Sequence, residues 1–328
     1  MNKKGPLLIT ACCICVLLCA CQPSAALLNK YSEMDLLQSS DVLSLVEPGK
    51  ASGFAEDLAV VSSEDNEASL SDSTIPTTAA LLIQTNTKEA LYYKNIYQPV
   101  APASLTKLMT ALLVFKYGNL DDEITITQEM IDVDNPQAQM AGFAVGDKIS
   151  VRDMLYCMLI YSGNDTSNAI GIYISGSIEE FADLMNSEAK NLGAMHTHFV
   201  NACGLDADGH LSCAYDLYLM FSACMEYEEF RDAISQSEYT VNYTSASGEA
   251  VSKTFDTTNL YFTGDYSPPE GVNIFGGKTG TTGNAGACLI LYTTDNQDNP
   301  YIALILGGDD KPELYQQMSN LLSMIQKN

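Results

Sequence analysis

Apolar positions follow two different periods along this chain. Near its start and towards its end they gather into short runs suited to strands, and through the middle they recur every three or four residues. From residue 78, Ala79 to Gln84 and Ala90 to Tyr93 read as strands, joined through Asn86-Thr87-Lys88-Glu89 as a hairpin. After Pro102, the residues Leu105, Leu108, Met109, Leu112 and Leu113 keep helical spacing until Gly118. Ser150 with Asp153, and Ser177 with Glu180, have the spacing of capping boxes. They predict helices running to about Tyr161 and to near Gly193, and a further helix covers roughly Cys213 to Met225. From Tyr239 the strand pattern returns, at Tyr239 to Tyr243, Phe275 to Thr281, Ala287 to Thr293 and Tyr301 to Leu306. A last helix places Leu314, Met318, Leu321, Leu322 and Ile325 on one face.

Strands near both ends with helices between them predict an α/β fold. One largely antiparallel sheet is expected, built from the two ends of the chain and flanked by helices, with a helical lobe inserted in the middle. A cleft between sheet and lobe is the natural place for a site.

The first twenty residues fall outside that pattern. Lys3 and Lys4 precede an apolar stretch, Leu7 to Leu18, which is short for a membrane span. Leu18-Cys19-Ala20-Cys21 then reads as a lipobox with Cys21 as the lipidated residue, although Cys19 is unusual in it and Ser24-Ala25-Ala26 offers a rival cleavage site. The expectation is a lipoprotein-type signal peptide over 1–20, an acidic flexible tether over 21–52, and a domain over 53–328. A short docking strand is expected within 54–61. Residues 32–74 hold ten acidic side chains against one base, Lys50, a composition suited to a solvated linker. Each version of this leader places the body outside the cytoplasmic membrane.

Charge narrows the choice of partners. A net charge of −25 argues against nucleic acid, because no basic patch could offset so many carboxylates near phosphates. Five of the ten cysteines lie in the leader. Cys157, Cys203, Cys213, Cys224 and Cys288 form an odd set without regular spacing, and read as buried small hydrophobes rather than a disulfide framework. His196, His198 and His210 lack an E-x-x-H companion and read as surface or core residues. No metal and no cofactor is expected.

Three short runs carry the chemistry. Ser104-Leu105-Thr106-Lys107 places a hydroxyl and an amine one helical turn apart. A neutral lysine, its pKa lowered by burial and by a second cation, can take the hydroxyl's proton. Lys278 is the expected second cation. Ser162-Gly163-Asn164, a loop after an apolar helix, supplies Ser162 to relay a proton and Asn164 to orient Lys107. Gly163 is expected to allow the tight turn. Lys278-Thr279-Gly280-Thr281 reads as a strand edge. Thr279 and Thr281 share a face there, Lys278 reaches towards Ser162, and Gly280 leaves room for a peptide added alongside. The backbone N–H groups of Ser104 and Thr281 are the expected oxyanion hole. Gly276-Gly277-Lys278-Thr279 is a poor phosphate loop, since Val272 stands where glycine is needed. A second S-x-x-K, Ser187-Glu188-Ala189-Lys190, belongs on an exposed helix face.

In that order the three runs are the set found in penicillin-binding proteins and β-lactamases. The chain resembles the serine-type D-alanyl-D-alanine carboxypeptidases, the low-molecular-mass penicillin-binding proteins, from about residue 77 onward. The likeness extends to Pro102 through Ala111, to Thr197-His198-Phe199-Val200-Asn201 with Gly204-Leu205, and to His210 through Leu217. Asn201 with Cys203-Gly204 departs from a usual proline. The resemblance implies trimming of the terminal D-Ala from peptidoglycan stem peptides ending in D-Ala-D-Ala, through a Ser104 acyl-enzyme, with β-lactam antibiotics as inhibitors. It also implies a β-lactamase- and penicillin-binding-protein-like fold. Family members often carry a second β-rich domain and a C-terminal anchor. Neither is expected here, and a lipid on Cys21 would replace the anchor. Lys311 is the expected substitute for an arginine held near the final helix. A D,D-endopeptidase of the same family is the nearest alternative. A β-lactamase fits less well, because Gly163 replaces an aspartate and no E-x-x-L-N run is present. An inactive wall-binding lipoprotein conflicts with the intact motifs.

Overall fold

A computed structural model describes residues 71–133 and 135–327. The leader, Cys21, the tether and the docking strand expected within 54–61 lie outside the described residues.

The two ends of the described chain build one five-stranded sheet. Its strands are β1 (Ala79–Gln84) and β2 (Glu89–Lys94), followed much later by β7 (Val272–Thr282), β8 (Gly286–Asp295) and β9 (Pro300–Gly308), in the order β2-β1-β9-β8-β7. Every neighbouring pair is antiparallel. Short connections allow that arrangement, whereas parallel pairing would need crossover helices. Leu289, Ile290 and Leu291 of β8 and Ile302 to Leu306 of β9 are buried without a break. That continuity marks strands covered on both faces. On one face, Ala80, Leu82, Leu289, Leu291, Ala303 and Ile305 pack against Leu314, Met318, Leu321 and Leu322 of the last helix, Lys311–Leu322. On the other lies helix Ala214–Cys224, which contacts β1 and β9.

The inserted middle is mostly helical, as its spacing predicts. A 3-10 turn at Ala103–Thr106 runs straight into helix Lys107–Tyr117, whose residues Lys107 to Val114 are all buried. Ser150 and Ser177 cap helices Val151–Ile160 and Ile178–Asn191, each accepting the expected backbone N–H three residues on.

Two expectations are corrected. The strand expected at Tyr239 to Tyr243 is not part of the main sheet. As β5 (Glu238–Thr244) it pairs with β6 (Ala250–Asp256) in a second, four-stranded sheet, together with the short β3 (Glu123–Thr125) and β4 (Lys148–Ser150). Three-residue strands are too short for a period to show. In addition, the loop expected at Ser162-Gly163-Asn164 stops at Gly163, since Asn164 opens helix Asn164–Ser175, which the spacing does not predict. Its polar start, Asn164-Asp165-Thr166-Ser167, hides the helical pattern, although all four residues are buried.

Candidate active site

The three sequence runs meet on the walls of one cleft of about 300 Å³, lined among others by Ser104, Ser162, Asn164, Thr279, Gly280 and Thr281. Lys107 and Lys278 stand behind that lining, bonded to Ser104 and to Ser162, and both side chains are buried. Lys107 Nζ donates to Ser104 Oγ at 2.9 Å, to Asn164 Oδ1 at 2.8 Å and to the Cys203 carbonyl at 2.7 Å. Three acceptors satisfy an ammonium. On loss of a proton, the Ser104 contact can reverse, with the hydroxyl donating to the amine lone pair. Burial lowers the Lys107 pKa to about 8, opposed by nearby Cys203 and Asp165; the second cation expected to lower it, Lys278, is instead the lysine that feels the other's charge. Lys278 Nζ donates to Ser162 Oγ at 2.8 Å and to the Thr279 carbonyl at 2.9 Å. Burial, with Lys107's positive charge adding to it, pushes its pKa well below the ordinary lysine value. A neutral amine beside a hydroxyl is thus accessible near neutral pH, which is what an activated serine requires.

Strained backbone surrounds these side chains. Ala103 and Ser162 both have positive φ, 48° and 69°, although neither is glycine. Such conformations cost on the order of 1–3 kcal/mol each and persist only where packing enforces them. At Ala103 the packing is visible. Gly204, itself at φ 88°, lies so near that a Cβ would stand 1.8 Å from the Ala103 carbonyl oxygen. From the sheet side, a Cβ on Gly280 would stand 3.0 Å from the Ser104 nitrogen. Gly280 therefore makes room for the serine turn itself, and the Ser104 amide faces β7 there. Gly163 does not supply the turn's unusual torsion, which belongs to Ser162. Its own constraint is space, because a Cβ would press on Thr166 Oγ1 at 2.9 Å.

A further layer holds the serine turn in place. The Nδ1 atom of His210 accepts the Val200 N–H at 3.0 Å, so Nε2 carries the proton and donates to Thr106 Oγ1 at 2.8 Å. Burial lowers the His210 pKa to about 4, which keeps the ring neutral. Thr110 Oγ1 donates to the Ala202 carbonyl at 2.7 Å, and Asn201 Oδ1 accepts from the Gly204 N–H at 2.7 Å. Together these bonds lock the 201–204 loop to the helix that carries Lys107.

The sequence reading missed several members of the site. The Cys203 carbonyl is a backbone acceptor, and no residue type announces one. Thr258 lines the cleft and shares a 2.6 Å hydrogen bond with Thr279, so that hydroxyl is already engaged. Asp206 accepts from Thr282 Oγ1 at 2.6 Å and from the Asn284 N–H at 3.0 Å, tying the loop to the end of β7. Lys311 does line the same cleft. All five cysteines in the described residues are buried and unpaired. Ser187 and Lys190 are exposed on helix Ile178–Asn191, away from the cleft lining.

The chain is similar to several known proteins. A family model described as D-alanyl-D-alanine carboxypeptidase matches residues 65–310. The chain is 35% identical to the D-alanyl-D-alanine carboxypeptidase DacF of Bacillus subtilis (strain 168), over 74% of this chain and 60% of the relative. It is 33% identical to the D-alanyl-D-alanine carboxypeptidase of Streptomyces sp. (strain K15), over 67% of this chain and 78% of that one. The crystal structure of the Streptomyces K15 DD-transpeptidase matches with a TM-score of 0.72 at 26% identity, covering 79% of this chain and all of the other. The chain spans about three fifths of the length of DacF and of DacD from Escherichia coli, 60% and 62%.

Proposed function

The chain belongs to the D-alanyl-D-alanine carboxypeptidase family, and from that membership we propose that it removes the terminal D-Ala of peptidoglycan stem peptides through an acyl-enzyme on Ser104. The observation that carries this reading is the buried Lys107 amine, 2.9 Å from Ser104 Oγ and held from behind by Asn164 and the Cys203 carbonyl. In its neutral form Lys107 takes the hydroxyl proton as Ser104 Oγ attacks the carbonyl carbon of the penultimate D-Ala. The negative charge on the carbonyl oxygen is met by the N–H groups of Ser104 and Thr281, and the helix that follows adds partial positive charge. Collapse breaks the C–N bond, and the departing D-Ala amine takes a proton through Ser162. Water then hydrolyses the Ser104 ester. Asn164 positions Lys107 throughout.

The terminal carboxylate is assigned to Lys278, Thr279 and Thr281, with the substrate laid along β7 past Gly280. Lys278 is disfavoured as a cation by burial and, while Lys107 is charged, by repulsion. An entering carboxylate offsets that repulsion and restores its proton. A β-lactam, as a strained mimic of the same amide, acylates Ser104 and leaves slowly, because its amine stays tethered. Lys278→Ala is expected to impair peptide acids more than the matching amides.

Incubation of the purified protein with a pentapeptide muropeptide, followed by mass spectrometry, tests the reading. Tetrapeptide and free D-Ala are expected. Cleavage only of cross-linked dimers would indicate a D,D-endopeptidase instead, and a slowly hydrolysed penicillin without peptide cleavage would overturn the assignment.

The body is further assigned to the outer face of the cytoplasmic membrane, anchored by a lipid on Cys21. A short apolar leader ending in a lipobox supports this. Equal metabolic fatty-acid label in wild type and Cys21→Ala would sink it.

A further inference from the structure

One cluster of polar side chains plays no part in this chemistry. His196, Cys213 and Asp216 bring a ring nitrogen, a thiol sulfur and a carboxylate oxygen within 4.8 Å of one another. Cys213 caps helix Ala214–Cys224 and Asp216 lies in its first turn, so the i, i+3 spacing turns both side chains to the same side. His196 comes from the segment that precedes the 198–211 bridge. We infer that these three residues form a binding site for a divalent cation of the zinc class.

The buried carboxylate carries the argument. Asp216 is 1% exposed. Its Oδ2 accepts the His196 N–H at 2.8 Å and the Thr197 hydroxyl at 2.7 Å. Its Oδ1 is buried without a well-formed hydrogen bond, the Cys213 thiol being the weak donor beside the carboxylate, and a buried charged acceptor so poorly matched is costly. The His196 ring places Nδ1 3.8 Å from Oδ1. That is beyond hydrogen-bond range. It is close to the ~3.4 Å that two ligands of one tetrahedral zinc span at bond lengths of about 2.0–2.2 Å. A cation between them would satisfy Oδ1, and Cys213 would bind as the thiolate, releasing its proton to solvent. A nitrogen, sulfur and oxygen set selects zinc, cobalt or nickel over calcium or magnesium. His196 is 44% exposed, so an ion can enter from solvent and a water can complete the coordination.

Such an ion would act on the site at a distance. The paired backbone of His198 and Leu211 leads from this cluster to the loop that presents the Cys203 carbonyl and His210. Clamping His196 to the helix start fixes the base of that loop.

Titrating the metal-stripped, reduced full-length protein with Co²⁺ tests the inference. The expected result is strong visible absorption of a tetrahedral ion with a thiolate-to-cobalt band in the near ultraviolet, both removed by Zn²⁺. Cys213→Ser is expected to abolish the thiolate band. His196→Ala, a change at a half-exposed side chain, is expected to weaken binding at least about tenfold. Penicillin labelling of each variant reports that it is folded. Absence of these bands in the wild-type protein would overturn the site. Equal bands in both variants would also overturn it, because the metal would then be held elsewhere, as by the leader cysteines. Unchanged affinity in His196→Ala would reduce the cluster to a His–Asp ion pair.

Discussion

The chain contains the same four-residue pattern twice, and only one copy is built for chemistry. Ser104 and Lys107 lie where a 3-10 turn enters a helix, pressed between β7 and the 201–204 loop. Ser187 and Lys190 lie towards the C-terminal end of an amphipathic helix, both exposed. Spacing is identical in the two, so spacing is not what activates the hydroxyl. At Lys107, burial removes water and lowers the amine's pKa, while fixed acceptors aim it at Ser104. At Lys190, solvent remains and no such environment exists. The second copy still has a use, through the residue between its ends. Glu188 points inward, is buried, and pairs with Lys116 on the helix that begins at Lys107.

The largest separation between the copies is expected from the serines. Ser104→Ala should abolish covalent labelling by fluorescent penicillin, whereas Ser187→Ala should label like wild type. Label retained in Ser104→Ala, mapped by peptide mass spectrometry to another residue, would break the contrast.

Next come the lysines. Lys107→Ala should slow labelling by roughly 10²–10⁴-fold, the usual worth of general-base help, and Lys190→Ala should leave the rate unchanged. Stopped-flow acylation rates of the two variants decide between a chemical and a merely structural Lys107.

A pH series sharpens the same point. Lys107 acts as a base only when neutral, and burial brings its pKa to about 8. The acylation rate should therefore rise roughly tenfold per pH unit up to about 8 and level above it, by simple titration. That limb should vanish in Lys107→Ala. A limb that persists there would move the titrating group elsewhere.

The smallest effect runs in the other direction. Glu188→Ala removes the inward contact of the exposed copy and should cost about 1–2 kcal/mol, since Lys116 is half-exposed and can return to water. Thermal unfolding should show a lower midpoint with labelling intact. A loss of labelling at unchanged stability would tie Glu188 to the cleft.

Much of this architecture is legible along the chain because each long element carries a period. The strands β1 and β9 and the helices capped by Ser150 and Ser177 fall where short apolar runs and capping place them. The short β3 and β4 carry too few residues to show alternation, and β6 alternates but buries only Phe255 fully, so the second sheet goes unseen. Helix Asn164–Ser175 is hidden for a different reason. Its first turn is polar yet buried, with the Asp165 carboxylate accepting the Ala141 and Gly142 N–H groups.

The site divides along the same line. The order and identity of Ser104, Lys107, Ser162, Asn164 and Lys278 stand in the sequence, since chemistry depends on residue type. Their activation does not. It depends on the Cys203 carbonyl, on Gly204 pressing against Ala103, and on the neutral His210 behind Thr106. At Lys278 it depends on burial and then on the charge of Lys107, a lysine from a distant part of the chain. Local sequence specifies which groups are available. Water exclusion and mutual repulsion of charges arise only when segments far apart in the chain close on one another, and that is a property of the tertiary structure alone.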